Sequence, residues 1–221
     1  MKTVFVLGSE GIIGRDLVSM LKEEFLVNSY DLSLGHDLTD EQCVNSIFKD
    51  TECHGLVNLF ALNEHVGKNS FATSYDDFDL DTIRLYMEVN VVALFNVCRT
   101  FIKYNQQGSV VNFSSIYGIQ PPDNTLYAKS AMKSIGYSVS KSAVISLSQY
   151  FAKNTNGNFR FNVIAPGGVS ADGQDPEFIQ KYCKLVPLNR MCHVNDLYGP
   201  TRFLLSDESL YVNGVILPVD G

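Results

Sequence analysis

The feature that most constrains the fold is an alternation of short β-rich runs with helical segments along all 221 residues. Strands that alternate with helices of this length build βαβ units, whose parallel strands form a sheet covered by helices on both faces. The sequence therefore predicts one α/β domain over residues 1–221, a doubly wound parallel sheet of the Rossmann type. The predicted strands are Lys2–Leu7, Leu26–Tyr30, Gly55–Ala61, Ser109–Phe113, Phe159–Ala165 and Val215–Val219. The predicted helices are Gly11–Glu24, Asp40–Asp50, Asp79–Tyr104 and Ser134–Asn154.

The composition disfavours several classes of partner. The formal net charge of −7 argues against a nucleic acid or an anionic membrane surface, because both repel an acidic protein. We expect no stretch long and apolar enough to span a bilayer and no signal peptide. The five cysteines form no Cys-x-x-Cys pair. This spacing predicts no metal site and no disulfide framework, and it favours a reducing, cytoplasmic compartment.

A glycine-rich loop follows the first predicted strand and opens the first predicted helix. Glycines in such a turn allow a tight bend and a close approach of the backbone to a pyrophosphate, which then lies at the helix N-terminus. The alternative is a glycine-rich turn that binds nothing, since short motifs also arise by chance. The candidate cofactor-binding residues in this loop are Gly8, Glu10, Gly11, Ile12, Ile13 and Gly14.

An acidic residue ends the second predicted strand. Asp31 lies about twenty residues past the glycines, where a carboxylate accepts hydrogen bonds from the adenosine ribose and repels a 2′-phosphate. Glu10 adds negative charge, and no Arg or Lys follows Asp31 closely, so the sequence favours NAD over NADP. Asp37 and Leu38 come next. Asp37 either contacts adenine or belongs to the acidic N-terminus of the following helix.

The second half of the chain contains residues suited to acid–base chemistry. Tyr137 and Lys141 are four residues apart on a predicted helix and therefore share a face. A free tyrosine has a pKa of about 10, and a fixed ammonium group beside it, together with a positive nicotinamide ring, stabilises the phenolate and lowers that pKa. Ser115 follows the fourth predicted strand, and Asn90 lies within the long predicted helix. A Tyr-x-x-x-Lys motif alone arises easily by chance, so its weight comes from this combination.

These four residues resemble the catalytic tetrad of the short-chain dehydrogenase/reductase family, and the resemblance covers essentially the whole chain. The family implies that Tyr137 is the acid–base group and that Lys141 lowers its pKa and binds the nicotinamide ribose. It also implies that Ser115 orients the substrate and that Asn90 holds a water molecule in a proton relay.

Further segments resemble the cofactor-binding wall of the family. Pro166-Gly167-Gly168-Val169 matches the segment that binds the nicotinamide carboxamide, which makes Pro166, Gly167 and Val169 candidate cofactor-binding residues. The family's Asn-Asn-Ala-Gly after the third strand is replaced by Asn58-Leu59-Phe60-Ala61. Ala61 is small enough to let the backbone pass the adenosine ribose.

The sequence departs from the family between its serine and its tyrosine. Ser115 and Tyr137 lie 22 positions apart, a longer spacing than the family has. The insertion, residues 120–135, is rich in turn-forming residues and is predicted to be a loop near the substrate mouth. Tyr127 lies nearer the usual spacing but has Ala131 where a lysine is needed, so Tyr137 is the predicted catalytic tyrosine.

The resemblance implies an NAD-dependent oxidoreductase that transfers hydride between nicotinamide and a carbonyl or secondary alcohol. The inserted loop, together with Gly168-Val169 and Arg190, looks more loosely like a bacterial branch associated with surface-sugar and flagellin-glycan biosynthesis. This likeness suggests a small polar, sugar-like substrate, with phosphorylated and nucleotide-linked sugars among the candidates. Residues 170–190 correspond to the substrate lid, and the family implies a homodimer or homotetramer. The alternative is a dinucleotide-binding sensor or scaffold that has kept the fold and lost the chemistry.

Overall fold

The computed structural model describes residues 1–63, 72–127 and 131–221. Its centre is a six-stranded sheet in which all neighbouring strands are parallel. The prediction of a doubly wound parallel α/β fold is confirmed. The strands are β1 (Thr3–Leu7), β2 (Leu26–Tyr30), β3 (Gly55–Asn58), β4 (Gly108–Phe113), β5 (Phe159–Pro166) and β6 (Ile216–Val219). The helices are α1 (Gly14–Leu21), α2 (Glu41–Lys49), α3 (Leu80–Met87), α4 (Ala93–Tyr104), α5 (Ile135–Asn154), α6 (Pro176–Leu185) and α7 (Val194–Leu205).

The strand order opens a crevice at the carboxyl edge of the sheet. The order is β2-β1-β3-β4-β5-β6, so the chain moves outwards from β1 to β2 and then returns to the other side of β1. At such a reversal the connections leave in opposite directions, and ligands bind beyond the carboxyl ends of the strands. The segments that begin at Gly8 and at Leu59 therefore line this crevice.

Alternate strand residues supply two hydrophobic cores, one on each face of the sheet. Successive strand side chains point to opposite faces. Phe5 and Leu7 of β1 therefore pack with α2, α4 and α5, whereas Val4 and Val6 pack with α1 and α7. All four side chains are essentially excluded from solvent. The sheet is thus held from both sides, while the loops at its carboxyl edge remain available for binding.

Some element boundaries differ from the sequence prediction. α1 begins at Gly14 rather than at Gly11, because the glycine loop occupies the residues between them. β3 ends at Asn58 rather than at Ala61. The sequence does not predict α7, because Gly199-Pro200 interrupts its helical pattern.

The long helix predicted over Asp79–Tyr104 is interrupted in its middle. α3 and α4 are joined by a π-helical turn, Glu88–Val92. Considered as one segment, Leu80–Tyr104 is long and apolar enough to cross a membrane, which corrects the expectation that no stretch qualifies. Half of its apolar window is buried inside the fold. A core helix has the same length and composition, and packing against the sheet accounts for this one.

The inserted loop and the lid segment pack against each other. Residues 124–126 of the loop form a short 3-10 helix, and its residues 128–130 lie outside the described part of the chain. Leu126 packs with Tyr182 of α6 and with Val186 and Met191 in a small separate core. Both segments follow strands at the carboxyl edge, so this unit lies beside the crevice.

Candidate active site

The predicted site residues follow strands at one edge of the sheet. Gly8 follows β1, Asp31 follows β2, Ser115 follows β4 and Pro166 ends β5. Because all the strands run parallel, these positions meet at the carboxyl edge. Tyr137 lies in the first turn of α5, a helix that packs along β5 and against the segment after Ser115.

Steric contacts require glycine at two of the three glycine positions in the loop. A Cβ at Gly8 would lie 2.4 Å from the backbone nitrogen of Phe60, on a residue with a φ of 87°, and a Cβ at Gly14 would lie 2.3 Å from the Gly8 carbonyl oxygen. Packing therefore requires glycine at both positions. A Cβ at Gly11 would meet only the Gly8 carbonyl oxygen, at 3.5 Å. Glycine at position 11 fits the close approach of a ligand to the backbone.

The loop has the features that a pyrophosphate-binding turn needs. The first N–H groups of α1 have no partner within the helix, and Ile13, its N-cap, makes no side-chain hydrogen bond to them. Ile12 is exposed at the tip of the loop. The Ser9 hydroxyl is buried, and within the described part of the chain it has no hydrogen-bond partner. The N–H groups at a helix N-terminus attract anions, so these residues fit a dinucleotide.

Asp31 ties the end of β2 to the glycine loop. One carboxylate oxygen accepts the Ser33 N–H at 2.9 Å and the Ser33 hydroxyl at 2.8 Å, and the other accepts the Glu10 N–H at 3.0 Å. Partial burial raises the pKa of the Asp31 carboxyl, but these hydrogen bonds outweigh it and bring the pKa below its usual value. The loop therefore carries a permanent negative charge beside the place where a ribose would bind.

Sequence reasoning overlooked a cation beside this charge. Arg15 follows the last glycine of the loop, and its Nε lies 3.4 Å from a carboxylate oxygen of Glu10. The guanidinium group is largely exposed. Glu10 thus offsets a positive charge that would otherwise favour a 2′-phosphate.

The next two candidate residues take different places. Asp37 is exposed, and its carboxylate accepts the backbone N–H and the hydroxyl of Thr39. Leu38 is buried in the core beneath α2. These contacts favour a role in the entry to α2 over one in adenine binding. His36 packs edge-on against the ring of Tyr30, with 5.1 Å between ring centroids, and forms an aromatic wall that the sequence did not predict.

Asn90 clamps the segment after β3 through its side-chain amide. Its Oδ1 accepts the Leu62 N–H at 2.7 Å, and its Nδ2 donates to the Leu62 carbonyl oxygen at 3.1 Å and to the Ser140 hydroxyl at 2.9 Å. Asn90 lies within the π-helical turn, where it is buried. It therefore fixes Ala61 and Leu62 relative to α5, a positioning role that its sequence context does not reveal.

Tyr137 and Ser115 are brought together at the end of β4. Their hydroxyl groups share a hydrogen bond, and the Ser115 hydroxyl also accepts the Tyr117 N–H at 3.1 Å. Burial raises the pKa of Tyr137 to about 12, and the hydrogen bond with Ser115 offsets only part of this effect. The phenol is thus protonated at neutral pH. The lowering of its pKa by Lys141 together with the positive nicotinamide ring stays a prediction.

Lys141 lies one helical turn beyond Tyr137 and is fully enclosed. Its Nζ donates to the Phe113 carbonyl oxygen at 2.9 Å and lies 5.8 Å from the centroid of the Tyr137 ring. Burial lowers the pKa of Lys141 to about 8. The ammonium group is therefore still mostly protonated at pH 7.

A second lysine, absent from the sequence prediction, lies on the same ring. The Nζ of Lys133 is 4.6 Å from the Tyr137 ring centroid and donates to the Asn63 Oδ1 at 2.6 Å. The position of Lys133 within the inserted loop does not predict a contact with Tyr137. A lysine close in sequence to the predicted catalytic tyrosine is the only signal available without the structure.

The rival tyrosine of the inserted loop has a packing role. The Tyr127 ring stacks on Phe178 of α6, with 5.3 Å between centroids, and its hydroxyl lies 3.3 Å from that of Tyr117. Burial raises the pKa of Tyr127 strongly. These contacts support the choice of Tyr137 over Tyr127.

The segment after β5 runs beneath the lid. Gly167 donates its N–H to the Val219 carbonyl oxygen at 3.0 Å, and Gly168 donates to the Tyr182 hydroxyl at 2.6 Å. Val169 pairs with Cys192 in an isolated bridge. A cavity of about 250 Å³ adjoins this segment, between the lid and the end of β6.

A glycine loop at the switch point of a parallel sheet, followed by a Ser–Tyr–Lys cluster, defines a dinucleotide-dependent oxidoreductase. The family model described as enoyl-(acyl carrier protein) reductase matches residues 13–221. The chain belongs to the short-chain dehydrogenase/reductase family, whose members act on CH–OH or C=O groups with a nicotinamide dinucleotide.

Individual relatives match over most of their length. Post-translational flagellin modification protein A of Campylobacter coli is 30% identical, with 99% of this chain and 96% of that protein covered. A 3-oxoacyl-(acyl-carrier-protein) reductase of Thermotoga maritima is 28% identical, over 93% of this chain and 82% of its own. A solved short-chain dehydrogenase from Leptospira borgpetersenii with bound NAD+ superimposes with a TM-score of 0.86 at 26% identity, covering 100% of this chain and 91% of that one.

Proposed function

We propose that this chain is an NAD(H)-dependent oxidoreductase that transfers hydride between nicotinamide and a carbonyl or secondary alcohol of a small polar, sugar-like substrate. The observation that carries the proposal is the hydrogen bond between the hydroxyls of Ser115 and Tyr137, with Lys141 buried beside the Tyr137 ring. Two hydroxyls that converge in this way can both bind one substrate oxygen. The substrate class follows from the inserted loop and its resemblance to enzymes of surface-sugar biosynthesis.

The acid–base step belongs to Tyr137. In the reductive direction its phenol, protonated at neutral pH, donates a proton to the substrate oxygen as negative charge develops there. Ser115 donates a second hydrogen bond to that oxygen and stabilises the same charge. In the oxidative direction Tyr137 must first be in its phenolate form, which then takes the proton of the alcohol. The bound dinucleotide supplies the hydride donor or acceptor.

Two further residues support this step. The Lys141 ammonium group stabilises the phenolate electrostatically, because in a buried site a charge at this distance acts more strongly than in water. Asn90 holds the Leu62 backbone and the Ser140 hydroxyl, and thereby keeps α5 in register with the end of β3. The water relay implied for Asn90 stays a prediction.

The preference for NAD is part of the proposal. Asp31 is ionised and held by three hydrogen bonds at the end of β2, and Glu10 lies in the adjoining loop. Both carboxylates repel a 2′-phosphate. Arg15, paired with Glu10, is the opposing charge. Titration of NADH and NADPH tests this preference, and tighter NADPH binding would overturn it.

The activity is tested with a panel of polyols, sugar acids and sugar phosphates, by following the absorbance of NADH or NADPH. We expect Tyr137→Phe to lower kcat by about 100- to 10,000-fold, because the substrate oxygen loses its proton donor. Tyr198→Phe, at a partly buried tyrosine of α7 whose hydroxyl donates to Glu24, is the matched control and should keep the rate. An unchanged rate in Tyr137→Phe contradicts the mechanism. NADH binding without turnover of any compound favours the sensor or scaffold alternative.

A further inference from the structure

Two further tyrosine hydroxyls lie beside the proposed reacting pair, Ser115 and Tyr137. The Tyr117 N–H donates to the Ser115 hydroxyl at 3.1 Å, and the hydroxyls of Tyr117 and Tyr127 share a hydrogen bond at 3.3 Å. Both phenols are also near Tyr137, because the proximity of Tyr117 raises the pKa of Tyr137 and the proximity of Tyr137 raises the pKa of Tyr127. The proposed mechanism uses neither of these hydroxyls, so the pair requires its own explanation.

Contacts in two segments of the chain hold this pair of hydroxyls in place. Tyr117 lies in the short 3-10 helix, Ile116–Gly118, that directly follows Ser115. The Tyr127 ring is stacked on Phe178 of α6, with an angle of 15° between the ring planes. The two hydroxyls are thus ordered by the protein, and a ligand that binds to them pays less of the entropy of ordering.

The chemistry of the pair favours an uncharged hydroxyl group as its ligand. Each phenol has one O–H donor and two acceptor lone pairs, and the bond between Tyr117 and Tyr127 uses one donor and one lone pair. The pair can therefore both donate to a ligand and accept from it, as an alcohol requires. Burial raises the pKa of both phenols, so they stay protonated and uncharged at neutral pH. An ionised carboxylate only accepts hydrogen bonds and matches the pair less well.

We propose that the hydroxyls of Tyr117 and Tyr127 bind a second hydroxyl group of the substrate whose carbonyl or alcohol reacts at Tyr137. The inference rests on the proposed function and narrows its substrate class to polyols and hydroxy ketones, as opposed to simple alcohols and ketones. Tyr117 and Tyr127 are then specificity-determining residues, and the loop inserted between Ser115 and Tyr137 supplies the second of them. A site that satisfies a hydroxyl discriminates against a compound without one, because its buried polar groups then lose a partner.

Substrates that differ in one hydroxyl group provide the test. Cyclohexanol against the cyclohexane-1,2-, 1,3- and 1,4-diols varies the distance of the second hydroxyl from the reacting carbon. D-Glucose against its 2-deoxy and 3-deoxy analogues makes the same comparison in a sugar ring. We expect a compound with the second hydroxyl to have a kcat/KM about 10-fold or more above that of its partner. Tyr117→Phe and Tyr127→Phe should each lower this value about 10-fold and leave the partner within about twofold.

Tyr104→Phe is the matched control. Tyr104 is a part-buried tyrosine at the end of α4, and its hydroxyl donates to the Asn45 Oδ1 at 3.3 Å, the same separation as in the Tyr117–Tyr127 pair. Loss of this hydroxyl should change kcat/KM for neither member of a substrate pair. Phenylalanine keeps the ring of Tyr127 and its stack on Phe178, so the variants should fold. Circular dichroism and NADH binding check this.

An equal loss of kcat/KM for both members of each substrate pair, or an unchanged preference in Tyr117→Phe and Tyr127→Phe, would overturn the inference. Calorimetric binding of the cyclohexanediols to the protein with NADH provides a readout without turnover. If no compound is turned over, the proposed function fails, and weaker diol binding by the double variant Tyr117→Phe/Tyr127→Phe still supports the hydroxyl site. Equal diol binding by the native protein and the double variant, or none by either, counts against it.

Discussion

Gly11 is the glycine of the loop that packing does not require, so its substitution tests cofactor binding separately from folding. A Cβ there would make only an ordinary contact, whereas one at Gly14 would overlap the Gly8 carbonyl oxygen. We expect Gly11→Ala to leave the free energy of unfolding within about 1 kcal/mol of the native value. The added methyl group occupies the space that a pyrophosphate approaches, so the Kd for NADH should rise about 10-fold or more.

Two other glycine-to-alanine variants serve as controls for the stability and NADH affinity of Gly11→Ala. Gly14→Ala should destabilise the fold, because the overlap is with backbone rather than with a flexible side chain. Gly157→Ala lies in a turn where a Cβ has nothing within 4 Å, and it should change neither property. Equal NADH affinities for Gly11→Ala and Gly157→Ala would contradict a dinucleotide site at this loop.

The buried charge of Lys141 lowers the free energy of unfolding of the native protein. Its pKa of about 8 in the folded protein lies below the usual 10.5, which corresponds to about 3 kcal/mol. At a pH between 8 and 10.5 the unfolded chain binds more protons than the folded one, so this penalty is relieved as the pH rises. We expect Lys141→Met to be more stable than the native protein at pH 7, by up to that amount less the lost hydrogen bond to Phe113.

The pH dependence distinguishes this effect from simple packing. Urea unfolding of the native protein and of Lys141→Met should give a stability difference that shrinks from pH 8 towards pH 10.5. Comparison of the two proteins cancels the other groups that titrate in this range. Lys153→Met, which removes an exposed lysine of the same helix, should show no such trend. A difference that stays constant with pH would contradict a depressed pKa for Lys141.

At the scale of elements, the π-helical turn is the feature that positions the site. It places the Asn90 side-chain amide against the backbone N–H and carbonyl oxygen of Leu62. Leu62 lies in the loop that follows the end of β3. Asn90→Ala leaves the part-buried N–H and carbonyl oxygen of Leu62 without these partners, so we expect a loss of about 1–2 kcal/mol of stability. Chemical denaturation measures this loss.

A second readout tests whether Asn90 positions the segment or only stabilises the fold. Hydrogen exchange at the Leu62 amide should accelerate in Asn90→Ala more than exchange in β4 does. Asn96→Ala, at another buried asparagine of the same helical segment that bonds Arg99, should accelerate neither region selectively. Uniform acceleration in Asn90→Ala would mean that the residue has no local role.

The fold was largely predictable from the sequence, and part of the site was not. Short β-rich runs between helical patterns predict the strands, because a parallel strand buried on both faces, such as β1 or β4, has a nearly continuous apolar run. The π-helical turn leaves the apolar pattern of the long predicted helix almost unchanged, so the sequence does not predict a turn around Asn90. The contact between Lys133 and Tyr137 depends on the path of the inserted loop and on Asn63, 70 residues earlier in the chain. Such long-range placement follows from packing rather than from local propensity.

At the scale of the whole molecule, an apolar patch on the outer faces of α4 and α5 indicates assembly. Phe95 is 43% exposed and Tyr150 is 63% exposed, and both rings contact Phe151. Val92, half exposed, lies one turn before Phe95. Contiguous exposed apolar surface of this kind marks a protein interface, so we expect a homodimer or homotetramer that buries this patch by two-fold symmetry.

Light scattering after size exclusion tests the assembly directly. The native protein should have the mass of two or four chains, and Phe95→Glu or Tyr150→Glu should lower the order of the assembly, because each puts a charge into an apolar contact. Tyr211→Glu, at a fully exposed tyrosine outside these helices, should keep the native mass. A monomeric native protein, or variants with unchanged mass, would exclude this patch as the interface. Since α5 also carries Tyr137 and Lys141, a monomeric variant with lower kcat and unchanged folding would show that assembly supports the catalytic helix.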